Sequence, residues 1–118
     1  MVKRAARVRL IDMLAAIDEA DATLGNADFA AYQRSTIMWR ALERCAEIVS
    51  EACRRIPPDL AEVHAAVPWP EIMAIGNRPR HDCQRVDDHI MWRIAAKSLP
   101  ELRPVIVDLL ARVDRNPC

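Results

Sequence analysis

A run of apolar residues that recurs every three or four positions between residues 38 and 56 is the strongest constraint on the fold. Its members are Met38, Ala41, Leu42, Cys45, Ile48, Val49, Ala52 and Ile56. This spacing places all of them on one face of a helix, so the run predicts a long amphipathic helix at the centre of the structure. We interpret Cys45 as a core residue, since a thiol on an apolar stripe packs like a small hydrophobic side chain. Pro57-Pro58 ends the helix.

The N-terminal quarter of the chain predicts a second long helix, from about Ala5 to Leu24. Its predicted apolar seam comprises Leu10, Ile11, Leu14, Ile17 and Leu24. Gly25-Asn26 predicts its end, because both residues tolerate the left-handed backbone conformation. We expect a loop with two aromatic side chains, Phe29 and Tyr32, and a cap from Ser35 or Thr36 for the central helix.

The C-terminal half predicts further helices separated by turn signals. A short helix is expected over Asp59 to Ala66, and Pro68-Trp69-Pro70-Glu71 favours another helix start. Asp87-Asp88 opens the next helix, and Ser98-Leu99-Pro100-Glu101 has the pattern of a capping box. The predicted inner face of the Asp87 helix is Val86, Ile90, Met91, Ile94 and Ala95, and that of the last helix is Leu102, Val105, Ile106, Leu109, Leu110 and Val113. Pro104 predicts either a kink in the last helix or a later start.

Composition favours a helical domain over a β-rich one. The 118 residues contain only two glycines, Gly25 and Gly76, and hydrophobic residues make up 52%. A β-rich domain of this size would need more turn residues. Four main helices plus a short one, joined by short loops, predict an all-α antiparallel bundle that forms a single domain over residues 1–118.

Charge and cysteine usage limit the classes of function. The net charge is zero, so no overall field attracts nucleic acid, although arginines cluster at the N-terminus and around residues 78–85. We expect a cytoplasmic protein with no membrane span, no cofactor and free thiols, since no apolar run is long enough and no CxxC spacing occurs. His81, Cys83 and His89 are weak candidates for metal ligands.

The stretch from Gly76 to His81 is the least regular in the sequence. Gly76 and Pro79 lie three residues apart, and in a helix interior they cost about 1 and about 3 kcal/mol respectively. Pro79 also disfavours helical geometry at Arg78. We therefore predict a kink or break between Gly76 and Arg80.

The segment from Val67 to Leu110 resembles the C-terminal half of the HepT family of HEPN ribonucleases. The landmarks occur in the same order and with similar spacing: Val-Pro-Trp-Pro-Glu-Ile at 67–72, Asn77-Arg78, His81-Asp82, Val86-Asp87, Ile90 to Ile94, and Ser98 to Leu102. The N-terminal half is similar at Asp28-Phe29 and from Leu42 to Glu47. The resemblance implies a four- to five-helix HEPN bundle that forms a homodimer. It also implies a metal-independent endoribonuclease, the toxin of a type VII toxin–antitoxin pair whose partner is an MNT-type nucleotidyltransferase.

The resemblance also assigns an active-site motif, which the family writes as Arg, four residues, His, one residue, Tyr. His81 takes the histidine position and Asn77 follows the arginine position, which Gly76 occupies here. Cys83 stands at the tyrosine position. A histidine suits removal of the 2′-hydroxyl proton, and an arginine suits binding of phosphoryl oxygens. We expect His81, Asn77, Arg78 and Arg80 to form the site, with Arg78 or Arg80 as a substitute for the motif arginine.

Two functional hypotheses remain open at this point, besides that of a generic helical scaffold. In one, the chain is a HepT-like endoribonuclease with an altered site, which the retained His81 favours. In the other, it is a catalytically inactive HEPN dimer that binds a nucleotidyltransferase, which Gly76, Pro79 and Cys83 favour.

Helix geometry bears on how such a site could be completed. Asn77 and His81, four apart, would share a helix face, whereas the arginine and histidine positions of the motif, five apart, would lie about 140° apart. Two protomers related by a two-fold axis could complete such a site by bringing their two copies of the motif together.

Overall fold

The computed structural model describes residues 2–75 and 87–115, and within these ranges every regular element is a helix. The helices are α1 (Val2–Leu24), α2 (Phe29–Arg34), α3 (Thr36–Cys53), α4 (Pro58–Glu62), α5 (Trp69–Ala74), α6 (Asp88–Arg93) and α7 (Leu99–Arg115). A π-helical turn, Ile94–Ser98, joins α6 to α7. The prediction of an all-α fold is confirmed. None of the described helices is both long and apolar enough to cross a membrane.

Helix α1 is the central element, because it packs along both α3 and α7. Its buried side chains are Ala6, Leu10, Met13, Ala16, Ile17 and Ala20. The predicted seam was wrong at Ile11, which is 38% exposed, and Leu14 and Leu24 are only partly buried. A straight helix repeats every 3.6 residues, so Met13 and Ala20 turn toward the core, and the alanines let two neighbouring helices approach closely.

Helix α3 confirms the predicted apolar stripe as far as Ala52, but it ends at Cys53, so the buried Ile56 lies beyond it. Leu42, Cys45, Val49 and Ala52 are buried, and Met38 and Ile48 pack against the core. Ser35 caps the helix, since its side chain accepts a hydrogen bond from the Met38 N–H at 3.1 Å. Burial raises the pKa of the Cys45 thiol, and it raises that of Cys53 to about 11. Both cysteines are free thiols.

A short helix replaces one predicted loop, and another predicted helix is shorter than expected. The predicted loop around Phe29 and Tyr32 is instead helix α2, because the Asp28 carboxylate caps its first turn by accepting a hydrogen bond from the Ala31 N–H at 2.8 Å. Helix α1 ends as predicted at Gly25, whose φ of 53° lies in the left-handed region. The helix predicted over Asp59 to Ala66 is shorter, Pro58–Glu62, and continues as turns.

Helices α6 and α7 form one continuous helical stretch from Asp88 to Arg115, so the predicted capping box at Ser98 was wrong. The Leu99 N–H bonds to the carbonyl of Ile94, five residues back. This wider turn precedes Pro100, whose ring would clash with the carbonyl four residues earlier in a regular helix and which has no N–H to donate. Pro104 lies inside α7, so the alternative of a later helix start was also wrong.

We predict that Leu10→Ala destabilises the fold by about 2–5 kcal/mol, because the side chain is fully buried between α1 and its neighbours and truncation leaves a cavity. Urea denaturation followed by circular dichroism measures the change. Ile37→Ala is the matched control: Ile37 is 84% exposed, so its truncation should change stability by less than about 0.5 kcal/mol. Equal losses for the two variants would contradict the assigned core.

Candidate functional site

The residues that the resemblance assigns to catalysis lie outside the described residues. His81, Asn77, Arg78 and Arg80 all fall within residues 76–86, as do Gly76, Cys83 and the predicted kink. The structure describes the two ends of this segment, at Ile75 and Asp87, and the helices that hold them. The geometry next to the proposed site is therefore that of the residues on either side of this segment.

Three hydrogen bonds to one carbonyl hold the end of α5 against α3. The Ser50 hydroxyl donates to the backbone oxygen of Met73 at 2.8 Å. The Arg54 guanidinium donates to the same oxygen through Nη2 at 2.8 Å and through Nε at 3.3 Å. Carbonyls in the last turn of a helix lack intrahelical partners, so these donors complete the C-terminal turn of α5. The chain thus enters residues 76–86 from a well-anchored helix.

Trp69 anchors the beginning of α5. Its ring is buried, and Nε1 donates to the carbonyls of Ala61 and His64 at 3.0 and 3.1 Å. Pro70 follows in the first turn, where its missing N–H costs no hydrogen bond, as predicted. The Pro-Trp-Pro landmark therefore ties α5 to the turn that follows α4.

Asp87 fixes the other end of the segment. Its Oδ1 accepts hydrogen bonds from the N–H groups of His89 and Ile90, at 2.9 and 3.3 Å. The predicted helix start at Asp87-Asp88 is confirmed. Of its predicted inner face, Met91, Ile94 and Ala95 are buried. Ile90 was assigned wrongly, since it is partly exposed, and Val86 lies outside the described residues.

An aromatic cluster fastens α2 to α6. The ring of Phe29 stacks on His89 with centroids 4.5 Å apart and meets Trp92 edge-on at 5.7 Å. Tyr32, which is buried, lies 5.7 Å from Trp92. Aromatic pairs in these geometries stabilise a contact beyond the area that they bury. The cluster explains how Phe29 and Tyr32, which the sequence left in a loop, help to hold the helix that follows residues 76–86.

A groove of about 540 Å³ separates α5 from the α6–α7 stretch. Its described walls are mainly apolar: Val67, Pro68, Ile72, Ile75, Ile90, Ile94, Leu99, Leu102 and Val105. Polar side chains among the described lining are His64, Glu71, Arg93, Ser98 and Glu101. The π-helical turn forms part of one wall, and such turns often occur at functional sites. Ile75 lines this groove and directly precedes residue 76.

His64 belongs to a polar cluster beside the groove. Its Nε2 lies 2.7 Å from Oδ2 of Asp108, which also accepts a hydrogen bond from Arg112 Nε at 2.8 Å. Arg112 first, and then His64, hold the pKa of Asp108 below its usual value of 3.8. Nothing in the local sequence predicts this cluster, because His64 and Asp108 are 44 positions apart. Tertiary packing brings them together.

The described residues include two of the chain's three histidines, and both contact other side chains. Within residues 2–75 and 87–115, no group of three His, Cys, Asp or Glu residues could hold a metal ion. His64 pairs with Asp108, and His89 stacks on Phe29. The chain has three histidines, and the third is His81. Residues 76–86, which contain His81, lie between α5 and α6 in the sequence.

These observations define an all-α bundle in which two anchored helices flank a short segment with one histidine. The family model described as ribonuclease HepT-like matches residues 13–109, which include all of that segment. The chain therefore belongs to the HepT-like ribonuclease family. No solved structure matches it.

Curated relatives point to the same family. A protein of Caldanaerobacter subterraneus subsp. tengcongensis named "Putative RNase" is 30% identical over 84 residues, which cover 71% of this chain and 75% of that protein. A protein of Methanocaldococcus jannaschii with the same description is 26% identical over 103 residues, covering 87% and 89% of the two chains. A "Probable ribonuclease HepT" of Thermococcus cleftensis is 30% identical over 63 residues, covering 53% and 57%.

We predict that the His64–Asp108–Arg112 cluster makes stability sensitive to acid. The pKa of Asp108 is lowered in the folded chain from its usual value of 3.8. The ionised carboxylate therefore stabilises the fold above pH 3.8, and this stabilisation is lost as the pH falls through the lowered pKa. Asp108→Asn removes this contribution. The wild-type Tm should exceed that of the variant at neutral pH, and the two should converge between about pH 5 and about pH 2. Thermal melts across this range measure the effect, and a gap that widens toward acid pH would contradict it.

Proposed function

We propose that this chain is a HepT-like toxin of a type VII toxin–antitoxin pair and that it acts as a metal-independent endoribonuclease. The family match across residues 13–109 is the observation that carries the proposal. Names of relatives that refer to ribonuclease activity support it. The framing of residues 76–86 by two anchored helices is consistent with a site in that segment.

In the proposed reaction His81 accepts the proton of an RNA 2′-hydroxyl. The freed oxygen attacks the adjacent phosphorus, and the bond to the 5′-oxygen of the next nucleotide breaks. The 5′-oxygen takes up a proton from water and leaves as a 5′-hydroxyl, while the phosphate remains as a 2′,3′-cyclic diester and His81 releases its proton to solvent. Arg78 or Arg80 holds the developing charge on the phosphoryl oxygens, since guanidinium groups bind phosphate through two parallel hydrogen bonds. Asn77 would help to position the phosphate.

The proposed site departs from the family motif at two positions. Gly76 stands where the family has its motif arginine, and Cys83 stands where it has tyrosine. Loss of one preorganised group that stabilises charge typically slows an enzyme by about 10²–10³-fold. We therefore expect a weak nuclease whose rate depends on Arg78 or Arg80.

The alternative proposal is a catalytically inactive HEPN dimer that binds an MNT-type nucleotidyltransferase. The same departures favour it, together with Pro79 within the motif. Both proposals include a nucleotidyltransferase partner and a homodimer that buries the surface near Asn77–Cys83. They differ in whether RNA is cleaved.

We predict slow, metal-independent cleavage of single-stranded RNA that His81→Ala abolishes. A fluorescently labelled RNA incubated in the presence of EDTA and resolved on a denaturing gel measures the rate. The matched control is His64→Ala, which removes a described histidine bonded to Asp108 and should leave cleavage intact. An RNA with a single ribose at the cut site replaced by deoxyribose should resist cleavage there, because it lacks the attacking hydroxyl.

The two proposals give opposite results in this assay. Absence of cleavage by the wild-type chain, with nucleotidyltransferase binding retained in a pull-down, would establish the inactive binding module. Cleavage that survives His81→Ala would contradict the assignment of the general base. Growth arrest on expression of the chain alone would favour the active toxin.

We predict that a cognate nucleotidyltransferase does not attach AMP at position 83. The family resemblance implies that the partner silences the toxin by modifying the motif tyrosine, and Cys83 has no phenolic oxygen. The only tyrosine, Tyr32, is buried beside Trp92 in the described structure. Partner binding would then be stoichiometric and non-covalent.

Intact mass spectrometry after incubation with the nucleotidyltransferase and ATP tests this prediction. An unchanged mass is expected. A mass gain in units of AMP that peptide mapping assigns to Cys83 or its neighbours would overturn it. A HepT family member that carries the motif tyrosine, treated in parallel, is the control that shows the nucleotidyltransferase to be active.

A further inference from the structure

Two ion pairs join the exposed edges of α1 and α7. Nε of Arg7 lies 2.9 Å from Oδ1 of Asp114, and Nε of Arg103 lies 2.7 Å from Oδ1 of Asp18. Along two antiparallel helices, the residue number rises on one helix as it falls on the other. Each step from Arg7 to Asp18 on α1 is matched by a step from Asp114 to Arg103 on α7, so both ion pairs belong to the same register. On each helix the two charges are eleven residues apart, which is about 16 Å, or three turns of a helix. The four charges therefore mark the corners of a single surface.

An apolar strip fills the space between these corners. The common register places Ile11 opposite Leu110, and Leu14 opposite Val107, between the two ion pairs. Val107 is 43% exposed and Ile11 is 38% exposed, while Leu14 and Leu110 are partly buried. Only six large hydrophobic side chains of the described residues are exposed, and two of them lie on this strip. Neighbouring exposed apolar side chains enclosed by charges are typical of an interaction surface.

The arrangement of the charges indicates what kind of partner fits. Positive and negative corners alternate around the strip: Arg7 and Asp18 on α1, Asp114 and Arg103 on α7. A second copy can face this surface through a two-fold axis parallel to the helices, which places Arg7 opposite Asp114 and Asp18 opposite Arg103. A two-fold axis across the helices places Arg7 opposite Asp18 and Asp114 opposite Arg103. Either rotation brings unlike charges together and apolar strip onto apolar strip, as an isologous interface requires.

We propose that the α1–α7 face, defined by these four charges and the strip between them, is a two-fold interface between copies of this chain. This face is distinct from the groove, since α7 turns Val105 and Glu101 toward the groove and Val107 and Arg103 toward the α1 side. The inference does not rest on RNA cleavage. It adds a contact between copies to the one proposed near Asn77–Cys83, and two different isologous contacts would build an assembly larger than a dimer.

Val107→Arg tests the apolar strip. The substitution puts a like-charged pair of guanidinium groups into the interface, yet it spares the core because Val107 is exposed. Light scattering coupled to size exclusion, at high micromolar concentration, should show the wild-type chain at twice 13.4 kDa or more and the variant at a lower mass. Ile37→Arg is the matched control: it adds the same charge at an exposed apolar position on α3 and should keep the wild-type mass.

Arg103→Asp tests the charge pattern independently. It sets like charges opposite each other under either two-fold rotation, so the dissociation constant should rise about tenfold or more. Arg55→Asp, a charge reversal at an exposed residue just after α3 that also breaks an ion pair, is its control. A wild-type chain that remains monomeric would overturn the proposal, whether or not another protein binds the face. An unchanged mass for both Val107→Arg and Arg103→Asp would also overturn it, and would leave a contact near Asn77–Cys83 as the source of self-association.

Discussion

The packing of α1 between α3 and α7 is the constraint on which the rest of this structure depends. One stripe of α1, with Leu10, Met13 and Ile17 at its centre, contacts both helices at once. The alanines at positions 16 and 20 let those helices approach closely enough to exclude water from the stripe. Apolar burial is the main stabilising contribution in a domain of this size, so the short helices can form only on this three-helix core.

The short helices matter because they hold the two ends of residues 76–86. Helix α5 depends on donors from α3, where Ser50 and Arg54 bind the Met73 carbonyl. Helix α6 depends on the aromatic contact between Phe29 and His89 and on the Asp87 cap. Helix α5 would not be stable alone, since an isolated helix of six residues does not recover the free energy that forming its first turn costs. Helix α6, in contrast, continues into α7 through the π-helical turn. Tertiary contacts thus position the helices on either side of the segment that contains His81.

Two sides of α7 contact different parts of the molecule. One side, with Val105 and Glu101, forms a wall of the groove next to Ile75. The other side pairs with α1 through Arg103 and Asp114. A single helix therefore connects the proposed catalytic region with the proposed contact between copies. The helical backbone runs from α6 through the π-helical turn to the end of α7, and no loop interrupts it between Asp88 and Arg115.

The sequence by itself determined the helical class, the stripe of α3, a cap at Ser35 or Thr36, the helix start at Asp87-Asp88 and the Gly25 stop, because periodicity and capping are local properties. The family membership also followed from landmarks along the chain. Only the tertiary structure decided that Met13 and not Ile11 faces the core, that Asp28 nucleates a helix, and that a π-helical turn replaces the Ser98 cap. It also brought His64 to Asp108 and Ser50 to Met73. These contacts join residues distant in sequence, and no local pattern records which side chains two packed helices place opposite each other.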